Sequence, residues 1–172
     1  MSSNEGLSFV SRDSTGAAPP ERDHAQVIAL PPALYGAAIV IGALFQVLIP
    51  RPLFASPLSR WIGGVLVALS FVLAGWGRRA LERAGTTVNP YGSTSSIVTG
   101  GPYRYSRNPL YVAINVGYLG VALLMNSLWT LLLLVPLLVI MQVGVIAREE
   151  RYLEEKFGDA YRAYRSRVRR WL

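Results

Sequence analysis

Apolar residues fall into four blocks, at roughly residues 34–49, 58–76, 110–125 and 128–147, separated by polar or glycine-rich stretches. Continuous apolar runs of this length predict helices that cross lipid, whereas alternation would predict half-buried strands. The first and third blocks hold about 16 residues against the ~20 a spanning helix needs, so flanking residues or local bilayer thinning must make up the difference. The third and fourth are joined by the turn Met125-Asn126-Ser127, which makes them a hairpin. After Trp76, residues 77–84 continue as a short helix closed by Gly85, and Thr86-Thr87-Val88-Asn89-Pro90 runs extended into a Gly-Ser-Thr loop that Ile97 and Val98 can tuck against the bilayer. Beyond the fourth block, residues 148–157 predict further helix, Gly158 a stop, and Asp159 the cap of a last helix from Ala160 to the C-terminus. On that helix Tyr161, Tyr164, Val168 and Trp171 form an apolar stripe while Arg162, Arg165, Arg169 and Arg170 point to headgroups, which suits an interfacial anchor or a lid.

The expected fold is therefore all-α: an integral membrane protein with about four transmembrane helices plus interfacial helices at one face. Composition agrees, since 52% of the 172 residues are apolar and only 16% are charged. Residues 1–30 carry Ser, Gly, Pro and charges without apolar periodicity and predict a flexible tail ahead of a single domain over 31–172. Glu5, Asp13, Glu21 and Asp23 precede the first apolar block, a pattern unlike a cleaved signal peptide. There is no cysteine and only His24, so thiolate chemistry and a His/Cys metal centre are not expected.

Charge orients the chain. Thirteen of the seventeen basic residues lie in the loop after the second block or in the tail after the fourth, while the two other loops hold only Arg51 and Arg60. The positive-inside rule then puts both termini and the long middle loop in the cytoplasm, and a bacterial inner membrane suits the arginine-rich composition. The net charge of +7 is read as attraction to anionic headgroups, with no nucleic-acid partner expected. No obligate protein partner is expected either; the partners are the bilayer and a lipophilic substrate. Trp61, Trp76, Trp129 and Trp171 mark candidate interfaces.

Two polar clusters then stand out: Gly100-Gly101-Pro102-Tyr103-Arg104-Tyr105-Ser106-Arg107-Asn108-Pro109-Leu110-Tyr111 at the start of the third block, and Arg148-Glu149-Glu150-Arg151 at the end of the fourth. A hairpin brings its two ends to the same membrane face, so these clusters frame one candidate site. Tyrosine rings there can hold a cation, and the planar fork of Arg107 can grip a carboxylate. Consecutive helix positions point about 100° apart, so only one of Glu149 and Glu150 is expected to face the site squarely, its neighbour pairing with Arg107 or Arg148. Asn115 and Gln142 either line the cavity or bond between helices.

The ordered elements Gly-Thr-Thr-Val-Asn-Pro, Gly-Pro-Tyr-Arg-Tyr-Ser-Arg-Asn-Pro-Leu-Tyr, the Asn-Ser turn, Glu-Glu-Arg-Tyr-Leu-Glu-Glu-Lys-Phe-Gly and Tyr-Arg-Ala-Tyr-Arg-Ser-Arg-Val-Arg-Arg-Trp resemble bacterial members of the isoprenylcysteine carboxyl methyltransferase family. Related phospholipid N-methyltransferases share the Asn-Pro-x-Tyr and Glu-Glu elements. The resemblance covers residues 76–172 and implies an integral-membrane methyltransferase that uses S-adenosylmethionine. No Gly-x-Gly-x-x-Gly dinucleotide fingerprint is present. The resemblance also implies roles: Arg107 and Glu150 catalytic, and Tyr103, Arg107, Asn108, Pro109, Tyr111, Glu149 and Glu150 cofactor-binding. Several relatives carry His where this chain has Asn108, which cannot carry a proton near neutral pH, so a histidine base is not available here. The acceptor is read as hydrophobic, offering a carboxylate, thiol or amine. The alternatives are a phospholipid N-methyltransferase, a non-catalytic membrane subunit of the same fold, and a small transporter, the last disfavoured because the blocks carry no charge beyond Arg60 at one end and no substrate pathway is visible.

Overall fold

The computed structural model describes residues 30–55, 57–85 and 96–172. The expected N-terminal tail over 1–30, apart from Leu30, and most of the loop from Thr86 to Ser95 lie outside the described residues. Among those described, every regular element is helical: α1 Pro31–Leu48, α2 Leu58–Arg83, α3 Pro109–Leu124, α4 Leu128–Met141, α5 Ala147–Phe157 and α6 Asp159–Arg167, with a 3-10 turn at Gly101–Arg104 and a π turn at Gln142–Ile146.

Three helices are long and apolar enough to cross a membrane: Pro31–Leu48, Leu58–Arg83 and the continuous run Leu128–Phe157, whose most apolar 18 residues have a mean hydropathy of 2.6. The fourth apolar helix, α3, has 16 residues and so rises about 24 Å against a hydrocarbon core of about 30 Å. Its shortness is made good at both ends by packed polar turns. On one side Asn126, at φ 48°, accepts hydrogen bonds from the Leu53 and Phe54 amides and donates to the Phe54 carbonyl. Ser127 caps α4 by accepting from the Thr130 amide. The Trp129 indole donates to the Ile49 carbonyl at 2.7 Å.

With lipid on the outside, helix association relies on close packing and polar contacts rather than on hydrophobic expulsion. The broadest pairing, α2 with α3, runs along small residues. A Cβ on Gly63 would meet the Gly120 carbonyl at 2.7 Å, and a Cβ on Gly120 would meet the Gly63 carbonyl at 2.8 Å. Helix α1 is tied in differently. The Tyr35 hydroxyl donates to Asn115 Oδ1 at 2.7 Å, and Asn115 in turn donates to the Tyr111 carbonyl at 2.8 Å. Tyr35, Ala38, Tyr118, Leu137, Met141 and Val145 form the core where α1, α3 and α4 meet. Asn115 thus takes the interhelical of its two expected uses. The outer faces, including Trp61, Val65, Phe71 and Val72 of α2, are exposed and apolar, as a lipid-facing surface requires.

The helix expected to continue past Trp76 does so, as one uninterrupted α2 ending at Arg83 with Gly85 at φ 66° behind it. Two expectations change. Asp159 does not cap α6 through its side chain; it sits in the first turn and pairs with Arg162 at 2.7 Å, while Gly158, at φ 52°, makes the break. The last helix does not reach the C-terminus either. It ends at Arg167, and Val168 is extended, at φ −121° and ψ 131°. Tyr161 and Tyr164 of α6 are buried against protein, 2% and 5% exposed, so the stripe read as interfacial covers the polar end of the bundle.

Replacement of Gly120 by Leu is expected to lower stability by about 1–3 kcal/mol through overpacking of the α2–α3 contact. Gly64→Ala, whose Cβ meets nothing within 4 Å, is expected to leave it unchanged or raise it. Thermal unfolding followed by circular dichroism in detergent checks both; equal melting temperatures for Gly120→Leu and wild type would contradict the packing argument.

Candidate active site

The site lies where α3 begins and the α4–α5 helix passes from apolar to polar sequence. Pro109 occupies the first turn of α3, where its missing N–H costs nothing, and is buried. Gly101–Arg104 turns just before it, placing Tyr103 inward, 9% exposed, and Tyr105 outward, 67% exposed. Tyr105 packs beside Trp76 at 6.4 Å between ring centroids. Tyr105 thus lies exposed against α2 where Tyr103 is buried.

The partner strand of the site comes from the π turn. Pro136 interrupts the amide ladder inside α4, and over Gln142–Ile146 the turn takes in an extra residue, the Ala147 amide bonding to the Gln142 carbonyl five residues back. One inserted residue rotates everything downstream by about 100° relative to an unbroken helix. That rotation sets which faces of α5 carry Glu149 and Glu150.

Both acids are engaged, on different partners. Glu149 accepts a 2.6 Å hydrogen bond from the Tyr111 hydroxyl. Glu150, with its side chain 7% exposed, lies 3.2 Å from Arg107 Nη2, whose side chain is 8% exposed. The expected pairing of one acid with Arg107 is made by Glu150, while Glu149 bonds Tyr111: the polar partners approach from two sides of α5, so a separation of about 100° is enough for each to find its own. Glu154 and Glu155 lie farther along, with Glu154 pairing to Arg165 at 2.8 Å and Glu155 exposed.

Sequence reasoning missed Arg170. Its guanidinium forms a fork on Glu150, Nε to Oε1 at 3.0 Å and Nη2 to Oε2 at 2.6 Å. The hydrogen bond to Glu150 raises the Arg170 pKa further above its ordinary value. Arg170 gets there because residues 168–172 leave the helix and run back along the Ser106–Asn108 segment. The Arg107 amide donates to the Arg169 carbonyl at 2.9 Å, and the Ser106 hydroxyl and Asn108 Nδ2 donate to the Arg170 carbonyl at 3.2 and 3.0 Å. Asn108 is thus placed at the site's rim, bonded to the chain's own C-terminal segment. The sequence carried no signal of it, since Tyr161, Tyr164, Val168 and Trp171 keep helical spacing past Arg167.

Aromatic rings close the polar end. Tyr164 donates to the Tyr103 carbonyl at 2.8 Å, and the Tyr161 and Tyr164 rings meet edge to face at 6.2 Å. Burial pushes the Tyr161 phenol up to about 12, with the Glu150 charge adding and Arg107 opposing. Burial likewise raises the Tyr103 and Tyr164 phenols, so all three are neutral hydrogen-bonding groups. Within this dry frame two donors of Arg107, Nε and Nη1, are buried without a partner. Unmet buried donors of a charged group are costly.

Against this geometry, the sequence model of the phospholipid methyltransferase family matches residues 58–160. An uncharacterized protein of Haemophilus influenzae is 60% identical over 47 residues, which are 27% of this chain and 73% of that protein. The cobalt-zinc-cadmium resistance protein CzcN of Cupriavidus metallidurans is 34% identical over 106 residues, 62% of this chain and 45% of that protein. Protein-S-isoprenylcysteine O-methyltransferase of Schizosaccharomyces pombe is 38% identical over 72 residues, 42% of this chain and 30% of that protein. The chain thus spans less than half the length of the last two relatives.

Glu150→Ala is expected to cost about 3–5 kcal/mol, because it strands the buried Arg107 charge. Glu155→Ala, at an exposed position, is expected to stay within about 0.5 kcal/mol of wild type. Chemical unfolding in detergent compares them, and a similar small effect for both would remove the clamp from the account of stability.

Proposed function

Because this chain belongs to the phospholipid methyltransferase family and is an integral membrane methyltransferase, we propose that it transfers a methyl group from S-adenosylmethionine to a lipophilic acceptor at the cytoplasmic face of a bacterial inner membrane. The observation that carries the cofactor assignment is Arg107 Nε and Nη1, two buried donors on different sides of the guanidinium with no acceptor of their own. Charged N–H donors suit a carboxylate oxygen, and the amino-acid end of the cofactor offers one. The residues present fit the rest of such a zwitterion. Glu149 supplies carboxylate oxygen for an ammonium group, Glu150 holds Arg107 in position, Asn108 offers a rim amide, and Pro109 fixes the turn that carries Arg107 into place. Tyr103 and Tyr111 supply rings able to face a cation, a contact worth about 0.5–2 kcal/mol. When bound, S-adenosylmethionine supplies an activated methyl group on a sulfonium, with a neutral thioether as leaving group.

The protein's part is to bind, orient and exclude water. Arg107 and Glu150 hold each other at 3.2 Å in a nearly solvent-free setting, where fixed charges interact more strongly than in water. Buried Tyr103, Tyr161 and Tyr164 keep bulk water from the polar end, which favours a reaction in which opposite charges are consumed. Without a histidine beside Arg107, this chain has no ring base at that position, which suits an acceptor that arrives already deprotonated.

A lipophilic acceptor is supported by a groove of about 450 Å³ lined by Leu138, Val139, Gln142, Val143 and Trp171. The groove adjoins the C-terminal segment through Trp171, and its Val139 and Val143 are exposed apolar residues against which a hydrocarbon chain can lie. The fungal relative is named for action on isoprenylcysteine and the family for phospholipids; the acceptor of this chain is proposed only as a hydrophobic carboxylate, thiol or amine.

Tyr111→Ala and Glu150→Gln are each expected to weaken cofactor binding about tenfold or more, a loss of about 1.4 kcal/mol or above, with the helical far-UV spectrum retained. Titration calorimetry of the purified protein in detergent measures this, and undiminished affinity in both variants would overturn the site assignment. Incubation with deuteromethyl-labelled cofactor and a lipid and metabolite extract, followed by mass spectrometry, is expected to yield a labelled hydrophobic product. Labelled phosphatidylethanolamine derivatives would redirect the assignment to phospholipid N-methylation, and failure of the folded protein to bind cofactor would favour a non-catalytic subunit.

A further inference from the structure

The C-terminal segment does more than cover the site. Glu150 is held by two arginines that use it unequally: Arg170 takes both carboxylate oxygens with its fork, at 3.0 and 2.6 Å, while Arg107 gives only Nη2, at 3.2 Å. The remaining donors of Arg107, Nε and Nη1, are buried and unpaired. A buried guanidinium beside a buried carboxylate ordinarily closes a two-bond fork with it, since that arrangement meets the most donors. Here Arg170 occupies that geometry.

We propose that Arg170 is a positioning residue that, by saturating Glu150, keeps the buried Nε and Nη1 donors of Arg107 free for an anionic group of the ligand. The inference rests on the cofactor reading above, with the cofactor carboxylate as the anion. Arg170 itself does not touch the ligand. Its side chain is one-third exposed, whereas those of Arg107 and Glu150 are almost fully buried. Its position is fixed by backbone contacts rather than by its charge: the Arg170 carbonyl accepts from Ser106 Oγ and Asn108 Nδ2, and the Arg169 carbonyl accepts from the Arg107 amide. The same loop that carries Arg107 therefore carries the docking site for the segment that delivers Arg170. Two guanidinium groups against one carboxylate also leave this triad one positive charge in excess, which an incoming carboxylate neutralises.

Removing Arg170 frees Glu150 to close a fork with Arg107 through Nη2 and a neighbouring nitrogen, which consumes one of the two donors open to the ligand. Arg170→Ala is expected to weaken S-adenosylmethionine binding in calorimetry by about tenfold or more, although the residue makes no ligand contact. Arg170→Lys, which restores charge but offers a single point of contact, is expected to recover part of the loss. A double-mutant cycle of Arg170→Ala with Glu150→Gln, followed by thermal unfolding without cofactor, is expected to show strong non-additivity. Wild-type affinity in Arg170→Ala, equal losses in Arg170→Ala and Arg170→Lys, or additive unfolding effects would each overturn the proposal. If the wild-type protein binds no cofactor, the functional reading fails, while the unfolding cycle still decides whether Arg170 acts through Glu150.

Discussion

One buried carboxylate organises the polar end of this protein. Glu150 lies at the point where an apolar helix turns polar, and it draws Arg107 from the start of α3 and Arg170 from the C-terminal segment onto a single pair of oxygens. A charge so placed is expensive unless paired, and breaking the pair is worse than never having built it. The arrangement is therefore best understood as a constraint: three distant parts of the chain must converge for any of the three charges to be tolerated there. What the clamp secures is less net stability than one particular arrangement of donors.

The rest of the bundle serves that convergence. Small residues let α2 and α3 approach until backbone carbonyls nearly touch the facing glycines, which fixes where the Gly101–Pro109 turn emerges. Polar links, Tyr35 to Asn115 and Tyr118 to the Thr130 carbonyl, register α1 and α4 against α3. In lipid such bonds have little competition from water, so a few of them suffice to set register. The π turn then rotates α5 so that Glu149 and Glu150 reach two different partners. π turns inside α-helices are recurrent at functional sites for this reason: they change side-chain direction without ending the helix.

Beside the clamp, tyrosines provide a neutral, water-poor wall. Tyr103, Tyr161 and Tyr164 are buried within one cluster at the polar end, and burial holds their phenols in the protonated form. They can donate hydrogen bonds, as Tyr164 does to the Tyr103 carbonyl, without adding charge. A site for a cationic methyl donor gains from such a wall, since aromatic faces attract the cation while giving it no nucleophile to react with.

The apolar blocks, the Gly158 break and the pairing of the Asn-Pro segment with the Glu-Glu segment were legible in the chain itself, because each depends on local composition, on one backbone conformation, or on a hairpin short enough to fix its own ends. Tertiary structure decided what depends on angle and on distant partners. That Tyr103 turns inward while Tyr105 turns out follows from the 3-10 turn, and that Glu149 takes Tyr111 while Glu150 takes Arg107 follows from the π turn. The recruitment of Arg170 could not be read from an arginine-rich tail whose spacing suited a surface helix. It leaves that helix because the Ser106–Asn108 segment offers its carbonyls hydrogen-bond donors and Glu150 offers its side chain a buried counter-charge, and neither is visible until the chain has folded.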